Sequence, residues 1–220
     1  MYRLIQLLDA DQIARLAEIA RGAKWVDGRT TNPTNIGKNN QQIEPGRARD
    51  ESGMLLADAL KANMIFNEVA LPVAVAPPLL SKYLPGMGYA IHGDNAFIHL
   101  GADTIRNDLA CTIFLADPAS YDGGALVIHA GDVKTAFRLP PGHAILYPAT
   151  MLHEVEPVTR GERLAAFTFI QSRIADPAKR AIASDLGAIA RTEREHLDSA
   201  AHARLLVIQQ NLLRDWGDAP

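Results

Sequence analysis

The chain of 220 residues contains one cysteine, Cys111. It therefore closes no intramolecular disulfide, and nothing in it points to an oxidising compartment. A basic surplus is missing too: 22 Lys and Arg stand against 25 Asp and Glu, for a net charge of −3 and a pI near 6.2. Without spare cations to neutralise a phosphate backbone, sequence-independent nucleic-acid binding is disfavoured, although a small anionic ligand is not. No apolar run reaches the length of a membrane span, and Met1 to Ala10 lacks the charged-then-apolar plan of a signal peptide. The expectation is a cytoplasmic protein with neither nucleic acid nor membrane as partner. Internal repeats and low-complexity segments are also absent.

What is present suits one domain with a substantial core, because 48% of the residues are apolar. A strand is expected over Tyr2–Leu8. A helix follows from the Asp9/Gln12 capping pair, with Ile13, Leu16, Ala17 and Ala20 at helical spacing. Residues 25–40, rich in Gly, Asn, Thr and Pro, read as loop. A single helix is expected over about Ala48–Phe66, with Leu56, Leu60 and Met64 along one stripe.

From Leu79 the pattern changes to short alternating runs: Leu79–Leu84, Gly88–His92, Leu109–Leu115, Ala125–His129, Val133–Arg138, Ala144–Tyr147, His153–Val155 and Arg163–Ser172. Turn residues such as Asp122-Gly123-Gly124 and Pro140-Pro141-Gly142 separate them. Strands so spaced suggest a sandwich or jelly-roll barrel. After Asp176-Pro177 the chain is Ala-, Arg- and Glu-rich and reads as helical to Trp216. The fold class is thus α+β, mainly β. Residues 1–78 form a helical buttress and loop region, 79–174 the jelly-roll core and 175–220 a helical extension, all in one compact unit. Leu205, Leu206, Ile208, Leu212 and Leu213 in that extension suit packing on the barrel or on a second copy, so self-association stays open.

His92-Gly93-Asp94 closes one expected strand. Side chains at i and i+2 leave the same strand face, so an imidazole and a carboxylate can converge on one cation. His153, 59 residues beyond Asp94, supplies the third donor of a two-histidine, one-carboxylate facial triad, which leaves positions open for O2 and a co-substrate. The bland alternative is a strand-end histidine followed by a turn aspartate, and His99, His129 and His143 compete for the third place. Arg163, ten residues after His153, opens an otherwise apolar strand. A guanidinium there is either rim-exposed beside Glu162 or deliberately paired, and if paired it suits the distal carboxylate of 2-oxoglutarate better than a lysine would.

The run Tyr83-Leu-Pro-Gly86-Met-Gly-Tyr89-Ala-Ile-His92-Gly-Asp94 resembles the Tyr-x-x-Gly-x-x-Tyr-x-x-His-x-Asp signature of prolyl 4-hydroxylase-like 2-oxoglutarate oxygenases. Trp25–Thr30, Lys38-Asn39-Asn40-x-Gln42, Tyr121–Leu126 and Leu152–Arg163 narrow the similarity to bacterial PKHD-type hydroxylases. The resemblance spans residues 1 to 180. It implies a double-stranded β-helix (jelly-roll) core flanked by N- and C-terminal helices, and Fe(2+) held by His92, Asp94 and His153. It further implies 2-oxoglutarate on Arg163, a Tyr83 hydroxyl reaching the co-substrate, and L-ascorbate as reductant. The activity implied is hydroxylation of an unactivated C–H bond by O2, with succinate and CO2 released. The substrate would be a prolyl- or lysyl-type side chain, free, peptidyl or within a small metabolite.

A carboxylate at Asp94 fills the place a halide would need, which favours hydroxylation over halogenation. Tyr89, three residues before His92, reads as packing on the opposite face. Lys38-Asn39-Asn40 suits either a self-satisfied turn or a lid. Two rivals remain: a jelly-roll module that binds metal and ligand without oxidising anything, as a sensor or cupin-like protein, and a scaffold with a vestigial triad.

Overall fold

The computed structural model describes residues 2–31 and 35–218. In chain order the first strands are β1 (Arg3–Gln6), β2 (Trp25–Asp27), β3 (Lys38–Asn39), β4 (Gln41–Ile43), β5 (Pro72–Val75) and β6 (Leu79–Tyr83). Then come β7 (Gly88–His92), β8 (Phe97–Leu100), β9 (Asp103–Arg106), β10 (Leu109–Phe114), β11 (Asp122–Gly123) and β12 (Leu126–Ala130). The last are β13 (Val133–Phe137), β14 (His143–Pro148), β15 (His153–Val155), β16 (Val158–Arg160) and β17 (Arg163–Ser172). The helices are α1 (Ala10–Gly22), α2 (Arg47–Ala62), α3 (Met64–Ala70), α4 (Pro177–Thr192) and α5 (Ser199–Trp216).

A major sheet runs β1-β14-β10-β17-β6-β4-β2, with β5 also on β17, and a minor sheet runs β13-β12-β15-β7-β3. Their pairings are antiparallel. This is the jelly-roll expected of the strand pattern, with helices gathered on one side. Side-chain alternation sorts the residues of the major sheet. Leu109, Cys111 and Ile113 of β10, with Ala144 and Leu146 of β14, pack under Leu16 of α1, Leu56 and Leu60 of α2 and Phe66 of α3. Ala110, Phe114, Ile145 and Tyr147 of the same strands face the other way, against Leu126, Ile128 and Val155 of the minor sheet. That second face is the barrel interior, so β10 turns Thr112 inward and Cys111 toward the helices.

Helix α1 starts as expected, on a capping box between Asp9 and Gln12. The expected single helix over 48–66 is instead two. Asn63 adopts extended backbone and its side-chain oxygen accepts from the Phe66 amide at 2.8 Å, starting α3 afresh. The break turns Met64 out of the stripe to 60% exposure, while Leu56 and Leu60 stay buried. Residues 25–40 depart further from expectation. Within them β2 pairs with β4 and β3 with β7, so the described part of that segment extends both sheets. The β8–β9 hairpin also went unforeseen. Beyond Ser172 the helical extension divides into α4 and α5, and α5 buries none of its residues. Among the described residues, no helix is long and apolar enough to cross a membrane.

Asn63 caps α3 and also donates to the Gln6 carbonyl at 3.0 Å, tying the helix to β1. Asn63→Ala is expected to cost about 1–2 kcal/mol in urea unfolding, the usual loss for an N-cap with an added hydrogen bond. An unchanged midpoint would remove the cap from the account.

Candidate metal centre

The minor sheet pairs β7 with β15 so that His92 lies opposite His153, while Tyr89 lies opposite Val155. Three steps on β7 thus match two on β15, which is a β-bulge. Asp94 follows two residues after His92, just past the strand end. One donor atom from each of His92, Asp94 and His153 lies within 4.8 Å of the others, and this is the metal-competent cluster found among the described residues. The imidazole rings of His92 and His153 stand 4.3 Å apart at 53°. His153 Nε2 is 3.8 Å from Asp94 Oδ1.

Hydrogen bonding orients both imidazoles. His92 Nδ1 lies 2.8 Å from the Ala90 carbonyl and His153 Nδ1 lies 3.0 Å from the Met151 carbonyl. A carbonyl only accepts, so each Nδ1 carries a proton, which leaves Nε2 as the ligating atom of each ring. Burial, reinforced by the neighbouring His153, pushes the His92 imidazole down to about 4, so it is neutral and ready to ligate at pH 7. Burial likewise pushes the Asp94 carboxyl up, against the pull of His153 and Lys38. Asp94 Oδ2 is buried without a hydrogen-bond partner among the described residues. A carboxylate so placed is costly alone and well used on a cation, so the donor set fits a divalent transition metal.

The triad opens on a cavity of about 610 Å³ that Arg163, Tyr83, Tyr147 and Thr112 also line. Arg163 begins β17 directly opposite Tyr83 of β6. It is 2% exposed, with its guanidinium 5.0 Å from the Tyr83 ring centroid and 5.6 Å from that of Phe114. Its Nε and Nη2 are buried and have no acceptor among the described residues. Those two nitrogens form the side-on fork that meets a carboxylate bidentately. Gly124, at φ +64°, makes room for this side chain, since a Cβ there would sit 3.1 Å from Arg163 Cδ. The sequence-predicted residues His92, Asp94, His153, Arg163 and Tyr83 are therefore walls of one cavity.

Other histidines lie apart from the cluster. His129 pairs with Glu154 at 3.0 Å and His99 with the Thr104 hydroxyl at 2.9 Å. Two further cavity residues escaped the sequence. Tyr89 stacks on His92 with ring centroids 3.6 Å apart at 18°. The bulge puts it on the face that strict alternation would deny it, which corrects the expected face, while its packing against the second core cluster holds. Lys38 is 5% exposed and faces the cavity from β3, and Asn40 lines the cavity with it, so this segment forms part of the wall. Burial lowers its ammonium to about 8, with Asp94 opposing the fall.

Residues 78–171 match the model of the 2OG-Fe(II) oxygenase superfamily. The chain is similar to a PKHD-type hydroxylase of Sphingopyxis alaskensis, at 46% identity over 98% of this chain and 99% of that protein. A PKHD-type hydroxylase of Gluconacetobacter diazotrophicus is 42% identical over 96% of each. Among solved structures, a prolyl hydroxylase from Trichoplax adhaerens in complex with a hypoxia inducible factor peptide fragment shares the fold. Its TM-score is 0.60 at 14% identity, over 82% of this chain and 86% of that one.

Asp94→Asn removes a buried charge whose cost of burial His153 and Lys38 offset only in part. In metal-free protein at pH 7 the variant is expected to melt several degrees higher, the shift that about 1–2 kcal/mol produces in a chain of this size. Because the folded-state pKa of Asp94 is raised, the native carboxyl contributes stability below its ordinary 3.8 and loses it as pH rises through the folded value. The advantage of the variant should therefore shrink as the melt is repeated toward pH 4. A variant that melts lower than the parent at pH 7 would contradict this account of the site.

Proposed function

Because the chain belongs to the PKHD-type hydroxylases, within the 2OG-Fe(II) oxygenase superfamily, we propose that His92, Asp94 and His153 hold its iron and that Arg163 holds the distal carboxylate of 2-oxoglutarate. The protein is an iron(II)- and 2-oxoglutarate-dependent hydroxylase. When bound, iron(II) and 2-oxoglutarate supply the oxidation, in which O2 delivers one oxygen atom to a C–H bond and the other to succinate as CO2 leaves. The observation that carries the site assignment is the unpaired Nε/Nη2 fork of Arg163, buried in the same cavity as the three donors. A buried guanidinium with no counter-ion is too costly to keep unless a ligand provides one.

The remaining residues position and shield. Each imidazole is held in its ligating tautomer by the carbonyl two residues earlier. Tyr83, in register with Arg163, stands beside the co-substrate carboxylate as a hydrogen-bond donor. Leu126, Val155 and Ala110 line the cavity with hydrocarbon and keep bulk water from the reacting centre. With iron bound, Asp94 would fill a ligand place that halogenation needs for its halide, which favours hydroxylation. Ascorbate would be the reductant that keeps bound iron in the ferrous state. The substrate is a prolyl- or lysyl-type side chain, supported by the likeness of the Tyr83–Asp94 run to the prolyl 4-hydroxylase signature. The buried thiol of Cys111 is compatible with work in the cytoplasm.

Arg163→Met is expected to weaken 2-oxoglutarate by roughly two orders of magnitude, the loss of two charge-assisted hydrogen bonds. The check is succinate release against 2-oxoglutarate concentration, alongside the absorbance of the anaerobic ferrous–2-oxoglutarate chelate. Turnover at the parental KM would remove Arg163 from the co-substrate site. Binding without any succinate from the parent, across candidate substrates, would favour a ligand-binding module instead.

A further inference from the structure

Lys38 is a buried cation that the reaction described above does not use. Its Nζ donates to the Thr31 hydroxyl at 2.8 Å, and Thr31 in turn donates to Gln42 Oε1 at 2.9 Å, so its hydrogen-bond partner is neutral. The aromatic neighbours are Tyr89 and Phe167, with ring centroids 5.7 and 5.9 Å from Nζ. Two carboxylates exert a field on it, Asp94 and Asp27. Asp27 is already committed to Arg29 through Nε at 3.0 Å. Asp94 is committed to the metal under the assignment above, on which this inference rests.

Charge balance then isolates Lys38. In the loaded site the two positive charges of iron(II) and the one of Arg163 match the two carboxylates of 2-oxoglutarate and that of Asp94. The ammonium of Lys38 is left over, at 5% exposure, without an ion pair among the described residues. A buried charge in this condition lowers stability unless something that binds there neutralises it. Arg49, half-buried on α2, also lines the cavity and strengthens the positive field at its outer part. Phe167, Phe169, Ala76 and Pro77 add an apolar wall to the same cavity.

We propose that the primary substrate is a small amino-acid-type acid whose carboxylate is received by Lys38, while its aliphatic body lies along the Phe167 wall and presents a C–H bond to the metal. Lys38 is then a specificity-determining residue. It anchors one end of the substrate, as Arg163 anchors the far end of the co-substrate. The carboxylate distinguishes such a substrate from the internal residue of a polypeptide, whose corresponding group is a neutral amide.

The test uses the full chain loaded with nickel(II) and 2-oxoglutarate, so that binding is measured without turnover. Calorimetric titration compares N-acetyl proline, lysine, leucine and arginine with their primary amides. The acids are expected to bind about tenfold more tightly or better, as one charge-assisted hydrogen bond predicts. In Lys38→Met the acids and amides should bind alike, and Lys38→Arg should restore part of the preference. The chelate absorbance of Lys38→Met with iron(II) and 2-oxoglutarate should match the parent. Acids and amides of equal affinity in the parent, a preference that survives Lys38→Met, or no acid in the panel binding would each overturn the proposal. Should Lys38→Met fail to fold, the parental ratio alone decides. Failure of the parent to form the chelate at all would instead sink the site assignment beneath it.

Discussion

The pairing of β7 with β15 carries this molecule's chemistry. Opposite residues across an antiparallel ladder come close enough for two imidazoles to share a cation, and His92 and His153 are opposite. The strands can approach because Gly88 has no side chain: a Cβ there would meet the Val155 carbonyl oxygen at 2.9 Å. The extra residue on β7 adds local twist, lets Tyr89 fold onto the His92 ring and releases the chain toward Asp94. Each imidazole is then locked by a carbonyl of its own strand or turn, so ligand orientation is settled within three residues at both places.

Around that ladder the fold tolerates an unusual concentration of uncompensated charge. Asp94, Arg163 and Lys38 all face one cavity, and among the described residues neither Asp94 Oδ2 nor the Nε/Nη2 edge of Arg163 has a hydrogen-bond partner. A sequence selected for stability alone would replace such groups with hydrocarbon of similar volume. Their retention means that part of the free energy of the native state arrives with the ligands, since whatever binds the folded form alone stabilises it by mass action. The surrounding scaffold offsets the cost. Helices α1, α2 and α3 cover the outer face of the major sheet with fully buried side chains such as Leu16, Leu56 and Phe66.

Much of this was legible in the sequence where the signal is local. The Asp9/Gln12 capping box, the alternating strands from Leu79 onward and the His92-Gly-Asp94 spacing each depend on neighbours a few residues away. The positive-φ turn at Gly123-Gly124 was equally legible, at φ 71° and 64°. Illegible features depend on partners distant in the chain. Two- and three-residue strands such as β3 and β4 have no periodicity of their own and exist because β7 and β6 offer them edges. Tyr89 was misassigned because alternation presumes an unbroken ladder, whereas a bulge shifts the parity. The break at Asn63 hides inside a continuous helical stripe, because a capping asparagine and a helix-interior asparagine look the same until the backbone is seen.

The short strand β3 hydrogen-bonds to β7 with Lys38 opposite Tyr89. The outer wall of the cavity and the strand bearing His92 are therefore one ribbon, joined by main-chain bonds that do not stretch independently. Lys38 and His92 thus lean on the same tyrosine ring, the ammonium 5.7 Å and the imidazole 3.6 Å from its centroid. A substitution at Tyr89 would therefore disturb two walls of the cavity at once.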